Sequence, residues 1–266
     1  MAIPGNLDRF TGFADVYDTH RPSPPAALVD LLSQLAGVEQ PRLVVDIGSG
    51  TGLSTVIWAE RAARVVGIEP NADMRRQAEL RSSRDSIVAY RDAHSSATGL
   101  PDACADIVTC SQALHWLEPE PTFAEVARIL RPGGVFAAYD CDWPPTMHWE
   151  AELAYDTVMR RGTKLERERG IDDGVVRWAK SGHLERMRSS GHFRYVREML
   201  LHHVEPGNAE RLVGLATSQG GCAGLLRHRI SEHEIGLDVL RAEAERVLGT
   251  EPRTWYWSYR VRIGVK

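Results

Sequence analysis

The sequence has few cysteines, no long apolar run and no sign of a leader. Its four cysteines, Cys104, Cys110, Cys141 and Cys222, form no CxxC pair and no zinc-finger spacing. We expect them to be reduced, buried small residues, with no metal bound. No apolar run approaches the roughly 18 to 20 residues of a membrane span. The opening MAIPGNLDRF lacks the basic and apolar regions of a secretory signal. These absences predict a cytoplasmic protein without a membrane partner.

Basic charge is not in excess either. The chain has 32 Lys and Arg against 36 Asp and Glu, a net charge of −4. Phosphate-backbone binding needs a basic patch or stripe, so this balance disfavours a nucleic-acid partner. Its 266 residues suit one large α/β domain or one domain with an insertion. Oligomeric state stays open, because apolar stripes on the later helices suit either a core or a homodimer interface.

Strand and helix patterns alternate between residues 42 and 140. Apolar runs predict buried strands at 43–47, 64–68, 87–90, 106–110 and 135–139. Helical patterns lie at 53–63, 71–80 and 121–130. An earlier helix is predicted from Ser23 and Pro24 to Gly37. Such alternation is typical of βαβ units around a parallel sheet.

The pattern changes after residue 140. About 142–190 is mostly helical, a strand is predicted at 193–204, and helices follow at 208–217 and 231–248, the latter with a capping box at Ser231 and Glu234. The final strand, 255–265, alternates apolar residues on one face. We interpret 1–266 as a single domain. Residues 40–140 form its cofactor-binding core, and about 142–190 and 207–250 form helical, substrate-binding insertions that cap the carboxyl edge of the sheet.

The stretch VVDIGSGTG, residues 44–52, places Gly48, Gly50 and Gly52 between a strand and a helix. Glycine inside an element costs up to about 1 kcal/mol relative to alanine, so the pattern indicates backbone that a ligand approaches closely. A strand, a glycine turn and a helix commonly bind nucleotides. The spacing is not the GxGxxG of dinucleotide sites, which favours a compact ligand without a pyrophosphate.

Acids end three successive predicted strands at Asp46, Glu69 and Asp92. The carboxyl ends of strands in an open α/β sheet form the edge at which ligands bind. Glu69 suits hydrogen bonds from both ribose hydroxyls. Asp92 suits the amino group of an adenine, and the Ala93 N–H a ring nitrogen. Taken singly, Glu69 also suits a solvent-facing strand end and Asp92 a turn.

Five segments in order, VVDIGSGTG, VVGIEPNADM, YRDAHS, ADIVTCSQALHW and RILRPGGVFAAYD, resemble the motifs of class I S-adenosylmethionine-dependent methyltransferases. The HW and LRPGG sequences are similar to the small-molecule branch that includes trans-aconitate and ubiquinone/menaquinone methyltransferases. The resemblance implies an α/β fold with a Rossmann-like, mostly parallel seven-stranded sheet, an antiparallel last strand and helices on both faces. It also implies S-adenosyl-L-methionine as cofactor, S-adenosyl-L-homocysteine as product and a small-molecule acceptor.

The resemblance also implies which residues contact the cofactor. The glycine loop approaches the methionine part, Pro70 and Met74 flank the adenine, and Ser111 and Gln112 touch the amino-acid end. Tyr17 and Arg21 close over the cofactor, and Arg21 pairs with its carboxylate. The full predicted set is Tyr17, Arg21, Asp46, Gly48, Ser49, Gly50, Thr51, Gly52, Glu69, Pro70, Met74, Asp92, Ala93, Ser111 and Gln112.

Acceptor-side residues follow the fourth and fifth strands. His115 is the candidate general base, because imidazole titrates near neutral pH. The alternative is that His115 and Trp116 only form a pocket wall. Trp143, His148 and Trp149 suit the rest of an acceptor pocket or packing between cap and sheet. The methylated atom is left open, since a carboxylate needs no base whereas a phenol, an amine or a carbon acid can need one.

Two other functions compete with methyl transfer. An NAD(P)-dependent oxidoreductase on a Rossmann sheet lacks the required GxGxxG and leaves the Asp92–Ala93 pair unexplained. A non-catalytic module that keeps the methyltransferase fold has no reason to retain the costly glycines and Glu69.

Overall fold

Residues 5–6 and 19–266 are described by a computed structural model. Its strands are β1 (Val44–Ile47), β2 (Val65–Ile68), β3 (Val88–Arg91), β4 (Ala105–Ser111), β5 (Leu130–Cys141), β6 (Tyr195–Gly207) and β7 (Arg253–Val265). They form one seven-stranded sheet in the order β3-β2-β1-β4-β5-β7-β6. β1 to β5 pair in parallel, and β7 runs antiparallel to both β5 and β6. The predicted sheet, with its antiparallel last strand, is confirmed.

Helices fill the connections. They are α1 (Ala27–Ala36), α2 (Ala72–Arg81), α3 (Pro119–Ile129), α4 (Trp149–Glu168), α5 (His183–Ser189), α6 (Ala209–Thr217), α7 (Gly220–Arg227), α8 (Glu232–Ile235) and α9 (Leu237–Val247). Short 3₁₀ helices lie at Val56–Trp58, Leu114–Trp116 and Lys180–Gly182. In the part of the chain that the structure describes, no helix combines the length and apolarity needed to cross a membrane.

Local signals set several helix ends. The Asn71 side chain accepts hydrogen bonds from the N–H groups of Asp73 and Met74 at the start of α2. Gly37 ends α1 in the left-handed conformation, as predicted. The expected cap at Ser23 is wrong: α1 follows Ala26 without a side-chain cap, while the Ser23 N–H donates to Glu205 Oε1. The helix predicted over 231–248 is interrupted at Gly236, which has a φ of 92°.

The helix predicted at 53–63 is reduced to a 3₁₀ turn at Val56–Trp58. Hydrogen bonds here span three residues, from Thr55 N to Gly52 O and from Trp58 N to Thr55 O. The hydroxyls of Ser54 and Thr55 donate to the buried carboxylate of Asp46. These bonds hold the segment close to β1, and such hydroxyl side chains compete with regular helix.

The core has two parts, one on each face of the sheet. Trp255, Trp257 and Tyr259 of β7 pack with α1, α4, α6 and α9 on one face. On the other face, Phe123 of α3 meets Phe136 and Phe193 with ring centroids 6.1 Å away from each. Successive residues of β1, β2 and β4 alternate between the two parts, as strand geometry requires. Helices on both faces are therefore confirmed, and the predicted apolar face of β7 is buried.

Candidate functional site

The glycine loop leaves β1 at the carboxyl edge of the sheet. The N–H groups of Gly48 and Ser49 both donate to Ile68 O, at 2.9 and 3.1 Å. Gly48 has a φ of 66°, and a Cβ there would lie 2.7 Å from Ala113 Cβ. Gly50 has a φ of 55° with open space beside it. Glycine at 48 thus permits a tight loop, whereas glycine at 50 leaves backbone bare toward a ligand.

Asp46 holds this loop from below. Its carboxylate accepts from Ser54 Oγ at 3.0 Å, Thr55 Oγ1 at 2.7 Å and Thr109 Oγ1 at 2.8 Å. Burial raises the pKa of Asp46, and the three hydroxyl donors oppose that rise. Asp46 is not among the residues that line the adjacent cavity. The sequence placed it in the cofactor site, but the structure makes it a buried anchor of the loop.

Glu69 faces the loop from the end of β2. Its Oε2 accepts from Gly50 N and its Oε1 from Asn71 N, both at 2.9 Å. Burial raises the Glu69 pKa, while these two N–H groups and Arg75 act in the opposite direction. A carboxylate has about four lone-pair positions, so acceptor capacity remains for ligand hydroxyls.

A first cavity brings together most of the predicted cofactor residues. The predicted residues that line it are Arg21, Gly48, Ser49, Gly50, Thr51, Glu69, Pro70, Met74, Ser111 and Gln112. Ser49 Oγ is buried and has no hydrogen-bond partner within residues 5–6 and 19–266. A buried polar atom of this kind calls for a partner. The bare Gly50 backbone, the Ser49 hydroxyl and the Glu69 carboxylate fit a polar ligand such as the predicted cofactor.

Three further predicted contacts, Asp92, Ala93 and Gly52, do not line this cavity. The Asp92 side chain is 69% exposed and pairs with Arg75 at 3.2 Å, so its carboxylate is held at the surface. Ala93 packs against the apolar core, and Gly52 is also absent from the lining. His94, Ser95 and Ser96, directly after the predicted Asp92–Ala93 pair, line the cavity instead. Tyr17 lies outside the described residues.

A second cavity of about 390 Å³ adjoins the first. The two share Arg21, Gln112, Trp116 and Trp143. The other wall residues are His115, Met159, Gly162, Thr163, Glu166, Arg177, Trp178, Ala179, Lys180, Gln219, Gly220, Gly221 and Cys222. Small-molecule sites typically measure about 300–1,000 Å³, so the second cavity has room for one.

His115 lines only the second cavity. Its Nδ1 lies 3.7 Å from Asp140 Oδ1, and its ring centroid lies 4.7 Å from that of Trp116. Burial and the nearby Lys180 ammonium lower the His115 pKa to about 3, against the effect of Asp140. The imidazole is therefore neutral near pH 7, and it is a weak proton acceptor. The base role stays a prediction, and so does the role of a wall residue.

His148 and Trp149 lie outside both cavities, contrary to expectation. His148 caps the start of α4, where its Nδ1 accepts from Glu150 N at 3.3 Å. Trp149 follows in the first turn and is 69% exposed. Trp143 is retained in the site, since it lines both cavities and packs edge-on against Trp257 at 5.4 Å.

The sequence indicated the later segments as a substrate-binding cap but did not single out the residues of this wall. Lys180 and Glu166 come from the first of these segments. Gly220 and Gly221 open α7, and the GG pair before an apolar run was a usable signal for a helix start beside a ligand. Asn6 lines the first cavity and donates to Trp116 O at 2.9 Å, for which the sequence offered no signal. The structure shows no cluster of three or more His, Cys, Asp or Glu suited to a metal ion among residues 5–6 and 19–266.

Comparison with known proteins gives consistent matches. Residues 45–138 match a family described as "Methyltransferase domain". An uncharacterised methyltransferase of Mycobacterium tuberculosis (H37Rv) is 36% identical over 125 residues, 47% of this chain and 49% of that protein. Trans-aconitate 2-methyltransferase of Azoarcus sp. BH72 is 37% identical over 113 residues, 41% of this chain and 42% of that protein. The chain spans about half the length of the curated relatives it matches.

A solved structure extends the likeness over nearly the whole chain. It is described as a putative type II methyltransferase from Anaeromyxobacter dehalogenans, and it superposes with a TM-score of 0.69 at 25% identity. The match covers 92% of this chain and 97% of that one. Together with the family match over β1 to β5, it confirms the resemblance predicted from the motifs.

Proposed function

We propose that this chain, which resembles class I S-adenosylmethionine-dependent methyltransferases, transfers a methyl group from S-adenosyl-L-methionine to a small-molecule acceptor. The whole chain acts as one domain, with the cofactor in the first cavity and the acceptor in the second. Among its relatives, trans-aconitate 2-methyltransferase is named for a small-molecule acceptor.

One observation carries the proposal. The bare glycine loop and Glu69 line one cavity, and a second cavity of acceptor size shares four wall residues with it. Ser49 and the bare Gly50 backbone would hold the amino-acid part, and Glu69 would accept from ribose hydroxyls. Pro70 and Met74 would contribute apolar surface to the adenine. The residues that the two cavities share would then lie between cofactor and acceptor.

When bound, S-adenosyl-L-methionine supplies a methyl group already activated by its sulfonium. The chain's own residues orient the acceptor and exclude water. Trp116 and Trp143 belong to the wall common to both cavities, where their rings would orient an acceptor. Displacement of water from this region favours a transfer in which charge disappears from sulfur. Neutral His115 stands at the acceptor side, where a proton has to leave if the acceptor carries one.

Calorimetric titration of the full chain with S-adenosylhomocysteine and, separately, with NAD tests the proposal. We expect binding of the first only. Glu69→Ala is expected to weaken S-adenosylhomocysteine binding by about 2 kcal/mol, or about 30-fold, through loss of charge-assisted hydrogen bonds. Glu79→Ala is the matched control, since Glu79 is exposed on the neighbouring helix α2.

Binding of NAD without S-adenosylhomocysteine would favour an oxidoreductase and overturn the assignment. Cofactor binding without methyl transfer to any compound of a broad small-molecule panel would instead support a non-catalytic module. Equal affinity in wild type and Glu69→Ala would remove Glu69 from the site.

A further inference from the structure

The second cavity has an uneven charge. Three cationic side chains line it, Arg21, Arg177 and Lys180, against one carboxylate, Glu166, in the chain as described. Glu166 is matched by Arg177, whose guanidinium lies 3.9 Å from it and over the ring of Trp116 at 5.0 Å. That pair balances its own charge at one part of the wall. The other two cations of the wall are Arg21 and Lys180, and Lys180 has its carboxylate partner, Asp140, outside the cavity lining.

Lys180 contacts two groups, Asp140 behind the cavity wall and Gln112 on that wall. Its Nζ lies 2.8 Å from Asp140 Oδ1 and donates to Gln112 Oε1 at 3.2 Å. Asp140 also accepts from the buried guanidinium of Arg262 at 2.8 Å, and Arg262 has a second carboxylate partner in Glu198 at 2.9 Å. An ammonium has three N–H donors. Gln112 takes one of them and Asp140 is the ion-pair partner, which leaves donor capacity for a group inside the cavity.

The start of α7 adds a positive partial charge to the wall of the second cavity. Gly220 and Gly221 line the cavity in the first turn of this helix, where N–H groups have no intrahelical acceptor. Gln219 precedes them without capping the helix. Its side chain is engaged elsewhere, with Arg21 at 3.3 Å through Oε1 and with Tyr155 Oη at 2.9 Å through Nε2. No acidic residue occupies the first turn of α7, so its N-terminal partial charge is not offset from within the turn.

The remaining wall is apolar. Trp116, Trp143 and Met159 face the same space. Arg21 lies 4.8 Å over the Trp143 ring, which keeps this aromatic surface at the junction of the two cavities. A ligand that fits has to combine a negative group with an apolar or planar body.

We infer that the second cavity takes an anionic acceptor, with its carboxylate or phosphate group at Lys180 and the first turn of α7 and its apolar body against Trp116 and Trp143. The inference rests on the proposed function, because it names the substrate class of that function's acceptor site. Carboxylate and phosphate share the required chemistry, namely a compact oxyanion that accepts several N–H bonds. A neutral or cationic acceptor leaves the Lys180 donor without a partner.

Small aromatic probes test this directly without turnover. The full chain, saturated with S-adenosylhomocysteine, is titrated with benzoate, phenyl phosphate, benzamide and benzylamine, and tryptophan fluorescence reports binding because Trp116, Trp143 and Trp178 line the cavity. We expect at least one anion to bind about tenfold or more tightly than benzamide, since hydrogen bonds to charged groups are the stronger ones. The better of the two anions identifies the carboxylate or the phosphate as the preferred group.

Variants locate the effect. Lys180→Met is expected to lower anion affinity about tenfold while benzamide affinity changes less than about twofold, and Lys180→Arg retains most anion affinity. Asp140 keeps Arg262 in these variants, so the fold is retained. Gly221→Asp places an acid in the first turn of α7, which favours the helix but repels the anion. Lys164→Met, at an exposed site on α4, is the matched control and should behave as wild type.

Equal binding of benzoate, phenyl phosphate and benzamide, preference for benzylamine, or unchanged anion affinity in Lys180→Met would overturn the inference. The affinity of each protein for S-adenosylhomocysteine, measured separately, tells this failure from that of the proposed function. If that ligand binds and the anions show no preference, only the inference is wrong. If the anions bind at Lys180 and that ligand does not, the proposed function is wrong while the anion site stands.

Discussion

The two cavities are built in different ways. In the first, the loop after β1 and the ends of β2 and β4 contribute glycine backbone, small side chains and one buried carboxylate. The second is a side-chain site, assembled from α4, the segment 177–180, the start of α7 and the residues after β4. They meet at Arg21, Gln112, Trp116 and Trp143.

The difference shows that the first cavity is a product of the sheet, whereas the second is a product of the helices that this chain carries in its connections. A parallel sheet brings the carboxyl ends of β1, β2 and β4 to one edge, so the first site follows from strand pairing. The second site depends on helices in the connections after β5 and β6, whose sequence is free to change without disturbing that edge. Under the proposed function, charge in the second cavity is the feature that we expect to select the acceptor.

Replacing Gly48 is expected to have the largest effect and to damage the first cavity alone. Gly48→Ala forces alanine into a φ of 66° and brings its Cβ to 2.7 Å from Ala113 Cβ. Left-handed backbone costs about 1–2 kcal/mol and overpacking about 1–3 kcal/mol, so we expect a loss of about 3 kcal/mol in unfolding free energy. Affinity for S-adenosylhomocysteine should fall at least about tenfold, because the displaced loop no longer holds the position in which it contacts the ligand.

Gly37→Ala is the matched control for backbone strain. Gly37 has a φ of 65° but no atom within 4 Å of an added Cβ, and it lies at the end of α1. Urea unfolding should show a loss of about 1 kcal/mol, with cofactor affinity unchanged in calorimetry. Similar cofactor affinities in Gly48→Ala and Gly37→Ala would mean that the loop geometry does not matter for the first cavity.

His115 offers a test of the second cavity through pH. The His115 pKa is lowered from 6.5 to about 3 in the folded protein. As the pH falls, His115 is therefore protonated in the unfolded chain before it is protonated in the folded protein. Stability from this group is present above about pH 6.5 and is lost toward pH 3. Between about pH 7.5 and pH 5 we expect wild type to lose about 2 kcal/mol more unfolding free energy than His115→Gln, since each pKa unit is worth about 1.36 kcal/mol.

Chemical denaturation of both proteins at the two pH values measures this difference. His183, whose pKa is lowered to about 4 by burial, contributes in the same direction and is present in both proteins. Parallel pH profiles would show that His115 is not held in the uncharged, buried setting beside Lys180, and would return it to the candidates for a general base near neutral pH.

Replacing Asp92 is expected to have the smallest effect, and it tests whether this residue lies outside the cofactor site. The motif resemblance implies that it reads the adenine, whereas the structure holds its carboxylate at the surface beside Arg75. Asp92→Asn is expected to change the Kd for S-adenosylhomocysteine less than about threefold, as for an exposed ion pair of at most about 1 kcal/mol. A loss as large as that of Glu69→Ala, in the same calorimetric assay, would restore the sequence-based assignment.

Local patterns predicted the first cavity well because each of its parts is coded by neighbouring residues. The glycines at 48 and 50, Glu69 after β2 and the Asn71 cap can be recognised within about ten residues of sequence, and each lies where its pattern predicts. Asp46 and Asp92 do not line this cavity, for a physical reason. An acid at a strand end has two directions open to it, and the hydroxyls of Ser54, Thr55 and Thr109 or the guanidinium of Arg75 decide between them.

By itself the sequence determined the order of the strands, the turn of bare backbone after β1 and the apolar face of β7, because these depend on periodicity and backbone freedom over short distances. Only the tertiary structure decided that His148 and Trp149 lie outside both cavities and that Lys180 contacts Asp140 and Gln112. Lys180 is 40 residues from Asp140 and 68 from Gln112 along the chain. Contacts across such separations follow from how helices pack on the sheet, which no local pattern encodes.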